Sequence, residues 1–302
     1  MPDGIPASPQ PDVAPQTLAT ADDEVQPPSA LGTLKTLAFI VAIQLFALLI
    51  TKVNAPVVQA SGYTYAPAGT SSSGSVYNVL ILVVFVFATT LAAVWLARKR
   101  RVKVFMAIVY IGTGLALFLL TLLASVDVTS GFLDANTSLY LSIGFAGATL
   151  VLLALVSLRK IPAGFGLILT GLLSAEVGSY FASTIPILTA LLLPLAFSLY
   201  DIYTVFRGPL KTLITTLPVE TLSAISSKIG DFSIGTGDTV FYAMIPALGY
   251  YQFGFGPAFL ALLAVDVGVV ITLYLLGRAK LLPGLPIPMF FGVAVLVAFY
   301  VV

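Results

Sequence analysis

The chain contains no cysteine and no histidine. Those absences remove thiol and Ser-His-Asp hydrolase chemistry, disulfides, and metal, haem or cluster sites built on imidazole or thiolate. Any proton transfer must use Asp, Glu, Lys or Tyr. Charge is scarce as well: Asp, Glu, Lys and Arg make up 9% of the residues, against about 25% in an ordinary soluble domain. No cofactor, metal or nucleic-acid partner is expected. The sequence is instead apolar, 59% hydrophobic with a mean hydropathy of +1.05. Runs of about 20 apolar residues recur, each long enough to cross a ~30 Å hydrocarbon core as a helix. The reading is an all-α polytopic membrane protein embedded in a lipid bilayer.

Residues 1–33 differ from the rest. The first thirty hold seven prolines and five acidic residues, with no Lys or Arg. Such a segment buries too little apolar surface to fold, and it lacks the positive start and apolar stretch of a signal peptide. It is read as a disordered tail ahead of a membrane domain at 34–302. The periodicity predicts nine spans: 34–51, 76–97, 104–124, 139–158, 162–181, 185–206, 233–253, 257–277 and 286–302. Spans within 34–181 form an N-terminal part and those within 185–302 the candidate catalytic part. A polar loop is expected at 52–75 and a longer connection at 207–232. If the nine spans alternate, 13 of the 14 Lys and Arg fall on one face, with Lys52 alone on the other. By the positive-inside rule the N-terminus is then cytoplasmic and the C-terminus outside, in the cell membrane. Asn136-Thr137-Ser138 is a glycosylation-type triplet on the outer side.

Four acids lie within the predicted spans: Glu176, Asp201, Asp238 and Asp266. A carboxylate in hydrocarbon costs several kcal/mol unless it is paired, wet or functional, and no Lys or Arg lies in a span centre to pair with these. Asp201 is five residues from the inner end of span 6 and Asp238 five residues into span 7, so both lie roughly 8 Å deep. Asp266 is about 16 Å from the inner end of span 8, and Glu176 is close to the outer end of span 5. Glu176, near an interface, reads as a structural acid, and a helix–helix hydrogen bond is the structural reading of Asp266; the sequence leaves the role of both open. Asp201 and Asp238 match in depth on consecutive spans. Two carboxylates brought close share a proton and titrate as a pair. The ionised partner can activate a water while the protonated one donates to a substrate carbonyl, the division of labour of an aspartic protease.

Three motifs then occur in order: Tyr200-Asp201 on one span, Gly235-Thr236-Gly237-Asp238 on the next, and Pro283-Gly284-Leu285-Pro286 opening the ninth. Together they resemble the presenilin and signal-peptide-peptidase superfamily of GxGD intramembrane aspartyl proteases. The family's third motif is usually Pro-Ala-Leu-Pro; here Gly284 stands where Ala is usual. The resemblance implies a nine-helix, presenilin-like fold with Asp201 and Asp238 as the catalytic pair. It implies transmembrane peptides or proteins as substrates, and a Pro283–Pro286 segment that helps hold them extended. A cytoplasmic N-terminus resembles presenilins, whereas signal peptide peptidases are inverted. The short 207–232 connection resembles a prokaryotic, archaeal-type homologue.

The residues themselves leave alternatives. Gly235 and Gly237 loosen the start of span 7 by about 1 kcal/mol each relative to Ala, which opens Asp238 to substrate or serves close packing of helices. Tyr200 lines a substrate channel or is a core aromatic. Pro283, Pro286 and Pro288 cannot all continue a helix interior, and non-helical backbone at membrane depth must line a cavity or be buried in protein. Such a segment can pair with an unwound peptide as an added strand, or it is a loop and cap before span 9. A proton-coupled transporter or channel also uses intramembrane acids and Gly/Pro-broken helices, but no internal repeat joins the two halves. A prepilin-type peptidase fits less well, without a cytoplasmic cysteine cluster, and a non-catalytic scaffold is the remaining alternative.

Overall fold

The computed structural model describes residues 29–99, 101–162, 164–207, 226–229, 232–278 and 282–301. The acidic, proline-rich segment 1–28 and residues 208–225, most of the connection after span 6, lie outside the described residues. Among the described residues are nine helices and one two-stranded sheet. The helices are α1 (Ala30–Ser61), α2 (Ser72–Arg98), α3 (Val102–Thr129), α4 (Ala135–Ser157), α5 (Gly164–Thr184), α6 (Ile187–Phe206), α7 (Thr236–Phe253), α8 (Phe255–Leu276) and α9 (Pro286–Val301). Strands β1 (Ser226–Ile229) and β2 (Phe232–Gly235) form an antiparallel hairpin directly ahead of α7. This is an all-α polytopic membrane fold. Each predicted span meets a helix, and α1 to α6 together with α8 make seven that are long and apolar enough to cross a bilayer.

α7 and α9 explain why span counting from hydropathy is incomplete. α7 is the centre of the bundle. It packs on α5, α1, α8 and α9, and Tyr242 to Leu248 are buried along its length. A helix wrapped by protein need not be apolar enough for lipid, and α7 carries Asp238, Pro246 and several hydroxyl side chains. Its contact with α5 is tight: a Cβ at Gly178 would come within 2.8 Å of Ala243 Cβ. Hydroxyls add interhelical bonds, Ser174 to Thr239 across α5 and α7 at 2.7 Å and Thr51 to Ser179 across α1 and α5 at 2.7 Å. In a bilayer such bonds and close small-residue contacts replace the hydrophobic effect as the source of helix association.

Two expectations are corrected here. The first span does not end at 51: α1 runs from Ala30 to Ser61, through Lys52 and Pro56, to Gly62 at φ 63°. Its start is fixed by Ser29, whose Oγ accepts the Gly32 amide at 2.9 Å, the usual N-cap bond. At 1.5 Å per residue the helix is about 48 Å long, well beyond the hydrocarbon thickness. The first charge marked the edge of the apolar run, not the end of the helix, so much of the expected loop 52–75 is helical. The second correction concerns Gly235. It ends β2 and is the N-cap of α7, not part of the helix's first turn.

Candidate active site

Three segments meet at the site: the last turns of α6, the hairpin-to-helix junction before α7, and the non-helical Pro283–Leu285 before α9. Asp201 lies five residues before the end of α6, beyond Pro194 in the same helix. Asp238 is the third residue of α7, in its first turn. Its carboxylate turns back to accept a bond from the Gly235 amide. That is half of a capping box: an acid at N3 bonds the N-cap amide, while glycine at the N-cap has no side chain to reciprocate. The positive end of the α7 dipole faces the same carboxylate. Local sequence therefore dictates how Asp238 is held, and both aspartates are half-buried.

The segment before α9 joins the two acids. The Leu285 amide donates to Asp201 Oδ2 at 3.1 Å, and the Gly284 amide adds a second backbone bond to the same side chain. On its other side Gly284 lies flat against Asp238, so close that a Cβ there would stand 2.6 Å from Asp238 Oδ2. Asp201 and Asp238 are near enough to act on each other as like charges. Leu285 is buried at 4% exposure, and Pro283 is buried with it. Pro286 is the first residue of α9, the position where a proline's missing N–H costs nothing.

Asp201, Asp238, Gly235, Gly284 and Leu285 are thus brought together. Gly237 is exposed, and a Cβ on it would meet nothing within 4 Å. Among the described residues it serves no close helix contact. Tyr200 has the contacts of the second of its two readings, a core aromatic. Its hydroxyl donates to Thr90 Oγ1 on α2 at 2.8 Å, and its ring meets Phe87 and Phe197 edge-on. One residue along a helix turns a side chain by about 100°, which carries Tyr200 toward α2 while Asp201 faces α9.

Sequence reasoning missed Tyr242. Its hydroxyl donates to the Gly284 carbonyl at 2.9 Å, so it holds the same residue whose amide binds Asp201. The signal was present: Tyr242 is four residues after Asp238, on the same face of α7. The hairpin was missed as well. β2 runs straight into Gly235, and Thr36 of α1 anchors β1 by donating to the Ile229 carbonyl at 3.2 Å. The other two acids lie elsewhere. Glu176 is buried and accepts from Thr121 Oγ1 of α3 at 2.8 Å. Asp266 faces the fully buried Gln44 of α1, but both Gln44 amide atoms and Asp266 Oδ1 lack a partner at hydrogen-bond geometry among the described residues.

Two solved structures share this arrangement of helices. One, a presenilin family intramembrane aspartate protease in space group C222, aligns with a TM-score of 0.62 at 21% identity, covering 89% of this chain and 99% of that one. Another, a presenilin family intramembrane aspartate protease in space group P2, aligns with a TM-score of 0.58 at 24% identity, covering 87% of this chain and 97% of that one. No protein-family model matches the sequence, and no curated protein does. At these identities the likeness speaks for architecture. The chain therefore has the fold of the presenilin-family intramembrane aspartate proteases.

Proposed function

We propose that the protein is an intramembrane aspartyl endopeptidase of the GxGD type, with Asp201 and Asp238 as its catalytic pair. One observation carries the reading. Gly284 and Leu285 touch both acids at once, Leu285 N–H bonding Asp201 at 3.1 Å and Gly284 lying against Asp238. Carboxylates contributed by α6 and α7 are thereby joined through one short segment.

The chemistry follows from that pair. The ionised carboxylate takes a proton from water as its oxygen attacks the scissile carbonyl carbon. The protonated carboxyl gives its proton to the carbonyl oxygen. The product is a neutral gem-diol with the shared proton still on the dyad. Collapse re-forms the carbonyl: a diol hydroxyl returns its proton to the dyad, the C–N bond breaks, and the leaving nitrogen takes a proton from the acid.

Substrates are the membrane segments of single-span proteins, or signal and anchor peptides left in the bilayer. A helical segment hides its amides, so it must unwind before attack. The β1–β2 hairpin offers a strand edge to an extended peptide, which offsets some of the helix bonds lost. The protein is read as a cell-membrane enzyme with its N-terminus in the cytoplasm, in keeping with the one-sided Lys and Arg.

The test uses purified protein and a single-span peptide. Cleavage is expected from the wild type and should vanish in Asp201→Asn and in Asp238→Asn, with melting temperature in detergent close to wild type. Substantial cleavage by either variant would end the two-aspartate reading.

A further inference from the structure

A second site lies far from the aspartates, on the lipid-facing side of the N-terminal helices. α3 and α4 run antiparallel and part along their outer face to leave a groove of ≈ 490 Å³, within the range of small-molecule sites. Its walls are almost wholly apolar, with Ile111, Gly114 and Leu115 from α3 and Leu150, Leu153 and Ala154 from α4. Only Tyr110 and Ser157 bring side-chain hydroxyls, and Ser157 is the last residue of α4.

That end of the groove is basic. Arg159 and Lys160 follow Ser157 by two and three residues, and Arg101 and Lys103 lie at the start of α3; all four are exposed. Gly114 opposes Leu150 and Leu153. The start of α3 and the end of α4 therefore lie at the same end of the pair.

Arg159 adds an independent sign. It is the one non-glycine residue at positive φ among the described residues, at φ 55°. The left-handed conformation after a helix normally goes to glycine, because a Cβ is strained there. Here an arginine holds it, at the mouth of an apolar groove.

We propose that the α3–α4 groove is a binding site for an anionic phospholipid. One acyl chain lies along the apolar walls, and the phosphate headgroup is met by Arg159, Lys160 and Lys103. Basic clusters between spanning helices are how membrane proteins select anionic headgroups, and arginine grips phosphate through paired N–H donors.

The experiment compares lipids with identical chains and different heads. Purified, delipidated protein is titrated with phosphatidylglycerol or phosphatidylcholine, and binding is read by native mass spectrometry and by the rise in melting temperature. The wild type should bind the anionic lipid at least tenfold more tightly at low salt, with the preference shrinking as salt screens the headgroup. Arg159→Gly relieves the strained backbone, so its melting temperature without lipid should equal or exceed wild type while the anionic preference falls. Ala154→Trp fills the groove from an exposed position and should weaken both lipids. Equal affinity of the wild type for the two lipids, or an undiminished preference in the Arg159→Gly, Lys160→Ser double variant, would overturn the proposal. So would inorganic phosphate reproducing the full thermal shift, since the acyl chain would then contribute nothing.

Discussion

Gly284→Ala tests the site with a single methyl group. A Cβ at this position would stand 2.6 Å from Asp238 Oδ2, 3.3 Å from Asp238 Cγ and 3.4 Å from the Tyr242 hydroxyl. Ordinary contact begins near 3.4 Å, so the carboxyl oxygen or the segment must give by about 0.8 Å (3.4 − 2.6). Asp238 has little room to yield, since its carboxylate is tied back to the Gly235 amide. The segment is held as well, by Leu285 N–H on Asp201 and by Tyr242 on the Gly284 carbonyl. Overpacking of this kind costs about 1–3 kcal/mol in stability. The effect on rate should be larger, because displacing a reacting group by ~1 Å costs on the order of 10²-fold. Cleavage of a transmembrane peptide by Gly284→Ala should therefore fall about 100-fold, with the melting temperature in detergent lower by only a few degrees. Gly112→Ala is the control, since a Cβ there meets nothing within 4 Å; it should change neither reading. The outcome is informative because the resembling motif usually carries Ala at this place. If Gly284→Ala kept activity within about threefold, below 1 kcal/mol in barrier, the segment would have shifted as a unit, and the fixed contact with Asp238 could not be what positions the acid.

Tyr242→Phe removes the hydroxyl that binds the Gly284 carbonyl and leaves that carbonyl short of a partner. At about 1–3 kcal/mol for an unmet buried group, cleavage should drop roughly tenfold while both aspartates persist, and a rate equal to wild type would show that the bond is incidental. Gly268→Ala should act on stability first. Its Cβ would come 2.5 Å from Pro288 Cα, which is backbone and cannot swing aside, so α8 and α9 must separate; a melting temperature unchanged in detergent would refute the close crossing. Asp266→Asn should keep most activity and stability, because an amide can meet the buried Gln44 amide with both a donor and an acceptor. Asp266→Leu should lower the melting temperature, and loss of cleavage in Asp266→Asn as complete as in Asp201→Asn would put Asp266 in the active site.

The acids were legible because charge is rare in apolar runs. With 9% charged residues in all, an aspartate in a span stands out, and counting residues from the span ends gave two at one depth. The structure changes one step of that count. Asp238 lies in the first turn of its helix, not a turn and a half inside, because β2 continues to Gly235 before α7 begins. Two strands of four residues each leave no periodicity to read, and Phe232, Ser233 and Ile234 look like the apolar start of a span. Tyr242 escaped for another reason. A tyrosine in a buried helix is ordinarily core, and its function depends on a carbonyl 42 residues away, a distance no local pattern carries. Tyr200 had two readings in the sequence, and choosing between them needed partners on α2 that lie 110 residues away.

What the fold supplies to the proposed chemistry is irregular backbone at depth. Exposed amides and carbonyls are too costly in hydrocarbon, so every span of a membrane bundle is pressed toward unbroken helix. This bundle relaxes that rule where α7 and α9 begin, and it satisfies the freed groups with one another. Asp201 takes the Leu285 amide, Tyr242 takes the Gly284 carbonyl, and Asp238 takes the Gly235 amide. The candidate catalytic acids are therefore also the hydrogen-bond acceptors that keep the unwound segments folded. A substrate entering in extended form would compete for these same partners. On this reading Asp201→Asn and Asp238→Asn differ from a simple loss of a proton carrier. An asparagine oxygen still accepts the amide, so structure survives and chemistry does not. An alanine at either place leaves buried amides unmet, at about 1–3 kcal/mol each. Asp201→Ala should thus melt several degrees below Asp201→Asn, although both are inactive. Equal melting temperatures for the two would show that the Leu285 amide is satisfied without Asp201, and that the acid has no structural part in holding the segment.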